Sequence, residues 1–407
     1  MEFQLAWRNI WRNPRRTVII MIAVIIGLWT MISLTALSRG MVNDMIENGI
    51  ATLTGDIKIY RAGYHDDPSV VYRIRHADQI VSRIKEILPA GTRYARRIKV
   101  NAVASNARHS GGVTLAGIDP EMEAGVSFIG NGVADGRMIA ETDKNAIVVG
   151  QALLEKFDTR IGHKLILMSQ DADNEIASRA FQIIGVYRAK LTATEKQYVF
   201  VNLTAARKML GVGTDVSEIS ISLMSHDDAN PFARKIRDML EDPDIEIYTW
   251  KDLLPMLKSY LDIFDGFIVL WFLVVFAAMA FGIINTMLMA VYERMREFGL
   301  LKALGMKPSL ILRSVLLESG LLLVIGALTG NLLAAGSVAI VAAQGIDLSA
   351  LATGFEYFGM SSVIYPEIVA KDVVLANAVV VILGLAVSAY PAAKASRITP
   401  VEAVAHV

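Results

Sequence analysis

Four uninterrupted apolar runs constrain what this chain can fold into. Thr17–Ser38, Gly266–Tyr292, Ser319–Ile346 and Val373–Ala393 contain no Asp, Glu, Lys or Arg. Each is about 20 residues or longer, enough for a helix to cross the hydrocarbon core of a bilayer. A polar stretch from Met41 to Asp265 separates the first run from the second. The pattern is that of a membrane α-helical protein with four transmembrane helices and one large α+β domain inserted after the first. Basic residues precede the first run, and Thr35, Ala36 and Ser38 lie at its end, as in a signal peptide. The run exceeds the about 7–15 residues of a signal h-region, so it reads as a retained anchor.

The short segments fix an expected orientation. Arg8, Arg12, Arg15 and Arg16 precede the first run, and Arg294, Arg296, Lys302, Lys307 and Arg313 lie between the second and third. Lys394 and Arg397 follow the fourth, whereas the loop 347–372 has Lys371 as its single basic residue. Basic segments stay in the cytoplasm. Both termini and the loop 293–313 are therefore expected inside, with 39–265 and 347–372 outside. The transmembrane helices are expected over 17–38, 266–292, 314–346 and 373–393, with a cytoplasmic tail over 394–407. Within residues 1–16, Phe3, Trp7, Ile10 and Trp11 are spaced for one face of an interfacial helix, which Pro14 ends.

Composition agrees with a mixture of spans and a soluble domain: 54% of residues are apolar and 20% charged. A net charge of zero argues against nucleic acid as a partner. The chain has no Cys, so the outer domain must stand on its own core, and it is long enough to do so.

Helical apolar spacing continues past the first run through Met41, Val42, Met45, Ile46 and Ile50, predicting a stalk. On the far side of the domain, Thr249 with Asp252 reads as an N-cap with an acid at N3, followed by Leu253, Leu257, Tyr260, Leu261, Phe264 and Phe267 on one face. Two helices are thus expected to carry the domain between them. Inside it, strand, helix and strand alternate over Gly55–Tyr60, Ala77–Leu88 and Tyr94–Ala104, and again over Val216–Met224, Asp227–Leu240 and Ile245–Tyr248. These are two βαβ halves of one subdomain. The segment of about 105–201, strand-rich and punctuated by Gly117, Gly125, Gly132, Gly136, Gly162 and Gly185, is expected to be a second, β-rich subdomain inserted into the first.

Few residues offer catalytic chemistry. No G-x-x-x-x-G-K-[ST] pattern occurs, so a triphosphate cannot be cradled by that route. His65, Asp66, Asp67 and His76 lack a defined ligand spacing and flank Pro68, which favours a solvated loop over a metal site. His109, Ser110 and Asp119 have the residue types of a hydrolase triad without a nucleophile elbow. The loop 293–313 is more specific. Phe298, Leu301 and Leu304 are spaced toward one side of a short helix that Gly305 terminates ahead of Pro308. So short a helix has little stability alone, and its apolar side needs a partner: the chain's own helix ends or another subunit.

Four stretches carry a resemblance: NTMLMAVYERMREFGLLKALGM from Asn285, LLESGLLLVIGALTG from Leu316, YPAAKASRITPVEAV from Tyr390 and LAWRNIWRNPRRT from Leu5. In order and topology the whole chain resembles the MacB/LolC/LolE/FtsX class of ABC transporter permeases, and its size and domain order look most like LolC and LolE. MacB has its ATPase fused ahead of the first helix, and this sequence opens at the interfacial helix. The resemblance implies an outer domain of porter and sabre subdomains in a bacterial inner-membrane protein. It also implies a coupling helix within 293–306 that docks on a separate cytoplasmic ABC ATPase dimer. Glu293, Arg294, Arg296, Glu297 and Phe298 fall on that motif, as do Gly299, Leu301, Lys302, Leu304 and Gly305. No cofactor is then expected in this chain, because ATP and Mg belong to the partner ATPase.

A second permease copy or homologue, a lipoprotein or lipid substrate and a periplasmic acceptor are the further partners implied. The expected function is extraction of lipoproteins or another amphipathic substrate from the membrane. An FtsX-like regulator of cell-wall hydrolases and a MacB-like efflux permease are the alternatives. Gly326 and Gly330, with Gly384 and Ser388, have the small-xxx-small spacing that permits close helix approach, either across a dimer or within one subunit. Trp29, Leu34, Leu37, Met41 and Met45 with Tyr260, Phe264, Phe267 and Trp271 supply an apolar surface. It would either cradle acyl chains or pack the stalks together.

Overall fold

A computed structural model describes residues 2–12, 14–348 and 363–399. The side chain of Phe3, most of the 347–372 loop and the end of the YPAAKASRITPVEAV stretch lie outside the described residues. The chain forms two compact units. One is helical and built on residues 1–43, 260–350 and 363–407; the other is built on 44–259.

In the helical unit, Glu2–Arg12 precedes four helices long and apolar enough to cross a membrane. Their helical segments are Pro14–Gly49, Pro255–Glu293, Pro308–Gln344 and Ala370–Arg397, so each continues beyond its charge-free run. The polar N–H and C=O groups of the backbone find no partner in lipid and must bond within their own segment, which is why apolar runs of this length are helices. Contrary to the single face expected for Glu2–Arg12, Ala6 and Ile10 are buried while Trp7 and Trp11 are exposed. Residues four apart share a side, and Trp7 and Trp11 stack edge to face at 6.1 Å.

Small residues set the spacing inside this bundle. A Cβ on Gly326 would lie 2.7 Å from Val24 of the first span, and one on Gly330 3.2 Å from the Ile25 carbonyl oxygen. One on Gly384 would lie 2.8 Å from Leu323, and the Ser388 hydroxyl bonds its own helix at the Gly384 carbonyl. All four residues are buried inside the described chain, the second of the two placements their spacing allows. Asn331 and Asn377 exchange amide hydrogen bonds of 2.8 and 3.1 Å between the third and fourth spans, each worth about 0.6 kcal/mol in a membrane. At the end where loop 347–372 begins, Arg39 forks onto Asp372 and also reaches Asp265, which Lys371 pairs from its other oxygen.

The outer unit is α+β. Its strands are β1 (Ile57–Arg61), β2 (Arg93–Ser105), β3 (Ser110–Ile118), β4 (Asp135–Gly136), β5 (Ala146–Gly150), β6 (Lys164–Gln170), β7 (Ile176–Tyr187), β8 (Tyr198–Asn202), β9 (Glu218–Ser222) and β10 (Ile245–Thr249). The order β10-β1-β9-β2 interleaves the two βαβ halves: β9 lies between β1 and β2, and β1 between β9 and β10, all antiparallel neighbours. Strand β2 is shared. Its first half, Arg93–Arg97, pairs β9, and from Ile98 onward it pairs β3 of the inserted subdomain. The insertion has its own core around Leu115, Ile147, Leu167, Phe181, Ile183 and Val199.

Because the third-span glycines touch the first span, Gly326→Val should overpack that contact, at a cost of about 1–3 kcal/mol. A lowered thermal midpoint of the detergent-purified protein is expected; an unchanged midpoint would place Gly326 at a free surface.

Candidate functional site

The loop after the second span builds a short helix, Met295–Ala303, set off by Arg294, whose backbone (φ −100°, ψ 12°) leaves helical values. Gly305 at φ +93° closes it, with its N–H on the Lys302 carbonyl and the Met306 N–H on Leu301. A side chain other than glycine would be strained there. The expected face of Phe298, Leu301 and Leu304 is not one face. Phe298 is buried beneath the Arg294 guanidinium, 5.1 Å from the ring, Gly299 is buried, and Leu301 is half-buried. A three-residue step falls about 60° short of a turn, so Leu304 points away from Phe298 and shares its side with Leu300. Leu300 and Leu304 are 63% and 77% exposed and form the free apolar edge. Arg296 and Glu293 are also exposed.

Charge fixes this helix to the spans. Arg12 and Arg294 both bond Glu297, and hydrogen bonding from Arg12 holds that carboxyl below the usual carboxylate range. Arg294 also reaches Glu318 at 2.8 Å, and Arg16 reaches the other oxygen of the same carboxylate. Glu318 is 3% exposed and sits one residue before the charge-free stretch of the third span. A single carboxylate thus ties the first span, the third span and the base of the short helix. Lys302 donates to the Ile398 carbonyl at the end of the fourth helix.

The expected cargo surface is divided. Leu34, Tyr260, Phe267 and Trp271 are exposed, and Leu37 and Met41 are half-buried. Phe264 is 6% exposed, with the Arg39 guanidinium 5.1 Å from its ring, so it is not open to acyl chains. Trp29 is partly exposed and donates its indole N–H to Ser337 of the third span. Met45 is half-buried in the outer unit.

Within the outer unit the stalk ends in a bend. A π-helical turn, Ile50–Thr54, follows Gly49, and Leu53 adopts φ +61°, a conformation uncommon outside glycine. Gly49 gives room to Leu254 and Leu257, so the two stalks do meet. The second begins with the expected capping box of Thr249 and Asp252, then breaks at Leu254 before Pro255 starts the long helix. Asp56 joins both stalk ends: its carboxylate accepts from the Leu223 N–H and pairs His226 at 2.6 Å, and its carbonyl accepts from the Trp250 N–H. Beside the bend lies a cavity of about 420 Å³ with Ile50, Val126, Phe128 and Leu191 against Glu47, Lys190 and His226.

Deeper in, Arg97 is fully buried and forks onto Glu123, with a further bond to Glu218 at 3.2 Å. Burial opposes ionisation of Glu218, but Lys58, Lys99 and Arg97 outweigh it and hold the carboxyl at about 2. The enzyme-like candidates have structural roles. Asp119 caps the helix Pro120–Glu123, and His65 packs on Tyr248. Among the described residues no cluster of His, Asp and Glu has metal-binding geometry.

Four apolar helices with a charge-tethered helix between the second and third, and an α+β domain spliced in after the first, define a permease-type membrane subunit. Residues 17–239 match the MacB-like periplasmic core domain, and residues 268–400 match the FtsX-like permease C-terminal domain. The chain belongs to this MacB/FtsX type of ABC transporter permease. An uncharacterized ABC transporter permease of Methanocaldococcus jannaschii is 23% identical over 98% of this chain and 96% of its own length. The pyoverdine export ATP-binding/permease protein PvdT of Pseudomonas savastanoi is 25% identical over 98% of this chain, which spans 58% of that relative. The periplasmic region of MacB from Actinobacillus actinomycetemcomitans aligns over 52% of this chain and 94% of its own, at 14% identity and a TM-score of 0.33.

Two outcomes follow from the charges. Glu318→Ala leaves Arg16 and Arg294 without their buried partner, and loss of about 3–5 kcal/mol is expected in denaturant unfolding; Glu318→Gln should lose less. Hydrogen bonding to Asp56 raises the His226 pKa. Stability from this pair is therefore full below the unfolded histidine value of about 6.5 and is lost as pH rises through the folded value. The unfolding midpoint should decline between those two values and level off above the folded one, and His226→Gln should flatten the slope.

Proposed function

We propose that this chain is the membrane subunit of a mechanotransmitting ABC complex, with ATP and Mg bound by a separate cytoplasmic ATPase. In this reading Leu300 and Leu304 enter a groove of the ATPase. Glu297, Arg294 and Glu318 then pass its movement to the first and third spans. The observation that carries it is the pairing of a free apolar edge with a charge-fixed base on one short helix and its C-cap. A helix held so firmly on one side transmits force instead of absorbing it. Both termini then lie in the cytoplasm, and a second copy or homologue completes the complex by exposed helix faces other than those of Gly326, Gly330, Gly384 and Ser388.

The substrate is an amphipathic molecule taken from the outer side. Names of relatives, the pyoverdine exporter PvdT and the macrolide exporter MacB, favour export of a small amphiphile over extraction of lipoproteins. The exposed Leu34, Phe267 and Trp271 are the apolar surface left for it. Passage through the helical bundle is less attractive, because interhelical polar groups there are bonded to each other, Asn331 with Asn377 and Trp29 with Ser337.

Leu300→Asp with Leu304→Asp tests the docking edge. The permease should fold with an unchanged thermal midpoint and lose co-purification of its ATPase by tenfold or more. Retained co-purification at wild-type yield would overturn the reading.

A further inference from the structure

The bend at the end of the stalk is a place where force would be expected to dissipate. Regular α-helical hydrogen bonding gives way at Ile50–Thr54 to a π turn closed by the Gly55 N–H on the Ile50 carbonyl, Thr52 and Leu53 leave helical backbone values, and Gly55 follows at φ +67°. A segment like this is a hinge unless something else fixes it. Two independent contacts do so. The Leu53 side chain is 1% exposed and inserts into the core of the inserted subdomain, among Ile118, Ile129, Val148, Tyr187 and Phe200. Its carbonyl accepts from Arg97 Nη1 at 2.9 Å.

Arg97 stands where β2 changes partners. It is the last β2 residue paired with β9, opposite Glu218, and its neighbour Ile98 is the first paired with β3, opposite Gly117. From there one guanidinium reaches the stalk end at Leu53, strand β9 at Glu218 and the opening helix of the insertion at Glu123, whose carboxylate also accepts from Ser127. Arginine suits this position because its planar fork presents five donors and stays charged. A left-handed leucine persists where surrounding structure over-determines it, and here that structure is the core around its side chain and the arginine on its carbonyl.

We propose that Leu53 and Arg97 lock the stalk end to the inserted β subdomain, so that displacement of the stalk reaches that subdomain as rotation instead of being lost at residues 50–55. Arg97 is a positioning residue in this scheme: it touches no substrate and sets how faithfully motion is passed on. The proposal rests on the mechanotransmitting reading above for its purpose, and on geometry within the outer unit alone for its rigidity.

The test exploits the absence of Cys from the chain. Glu47→Cys on the stalk and Lys164→Cys on β6, both exposed, take spin labels in the full-length permease, and pulsed dipolar spectroscopy reads their distance distribution without nucleotide. A single narrow distribution is expected. Leu53→Gly keeps the left-handed backbone without strain but withdraws the side chain. Arg97→Met with Glu123→Leu removes the fork together with its main carboxylate, leaving Glu218 to Lys58 and Lys99. Each should broaden the distribution at least about twofold while circular dichroism stays that of the folded protein. A folded Leu53→Gly protein with an unchanged width overturns the lock. A second label pair, Lys164→Cys with Phe281→Cys, the latter exposed on the second span, is followed on adding ATP to the complex with its ATPase. A nucleotide-dependent shift that Leu53→Gly abolishes, with ATP hydrolysis retained, supports the lock. A shift unchanged in that variant overturns it. Absence of any shift in the unsubstituted complex defeats the mechanotransmitting reading, while the width measurement still decides the lock.

Discussion

One buried guanidinium organises the outer half of this protein. Arg97 has no exposure to solvent, and its retention depends on Glu123, Glu218 and a backbone carbonyl surrounding it. A buried ion cluster is weak evidence for extra stability, because desolvation offsets much of the attraction. It supplies geometry. Planar donors accept few arrangements of their partners, so three chain segments that meet at Arg97 are held in fixed relation. Apolar packing alone would tolerate slippage by a fraction of an ångström.

The helical unit uses the same device at its arginine-rich end. Glu318 is shared by Arg16 and Arg294, and Glu297 by Arg12 and Arg294. Glycines in the third span let the first span approach closely enough for this sharing. At the opposite end of the same helices, Arg39 serves Asp265 and Asp372. Between these two charged rings, side-chain contacts are apolar apart from a few hydrogen bonds such as Asn331 to Asn377. The bundle is therefore pinned by charge at its rims and by close glycine packing between them.

The sequence shows the parts of this structure whose signal is local. Charge-free runs mark the spans, Thr249 and Asp252 mark a helix start, and Gly305 ahead of Pro308 marks a helix end. What it conceals depends on partners far along the chain. Phe298 and Leu300 are equally apolar, and only the packing of the folded chain, which buries Phe298 and leaves Leu300 exposed, decides which is covered. Gly326 and Gly330 advertise close approach without saying to what, and the answer is Val24 and Ile25 of the same chain. Glu318 was legible as a lone acid at the edge of an apolar run, a signal that a search confined to charge-free segments passes over. Asn331 and Asn377 escape for a related reason, since they are uncharged. Leu53 has no signature at all: a left-handed leucine looks like any other leucine in a sequence.

Strand β2 serves both parts of the ten-stranded sheet of the outer unit, and this bears on how such domains can be recombined. A module bounded at residues 106 and 217 could not be lifted out cleanly. The second half of β2 would remain as an unpaired edge of alternating apolar residues, Val100, Ala102 and Ala104 among them, of the kind that recruits other chains. Glu218 and the stalk end would also face an arginine whose other carboxylate had left with the graft. Chimeras that exchange the inserted subdomain between such permeases should cut at Arg93 instead and carry Glu123 across with its arginine.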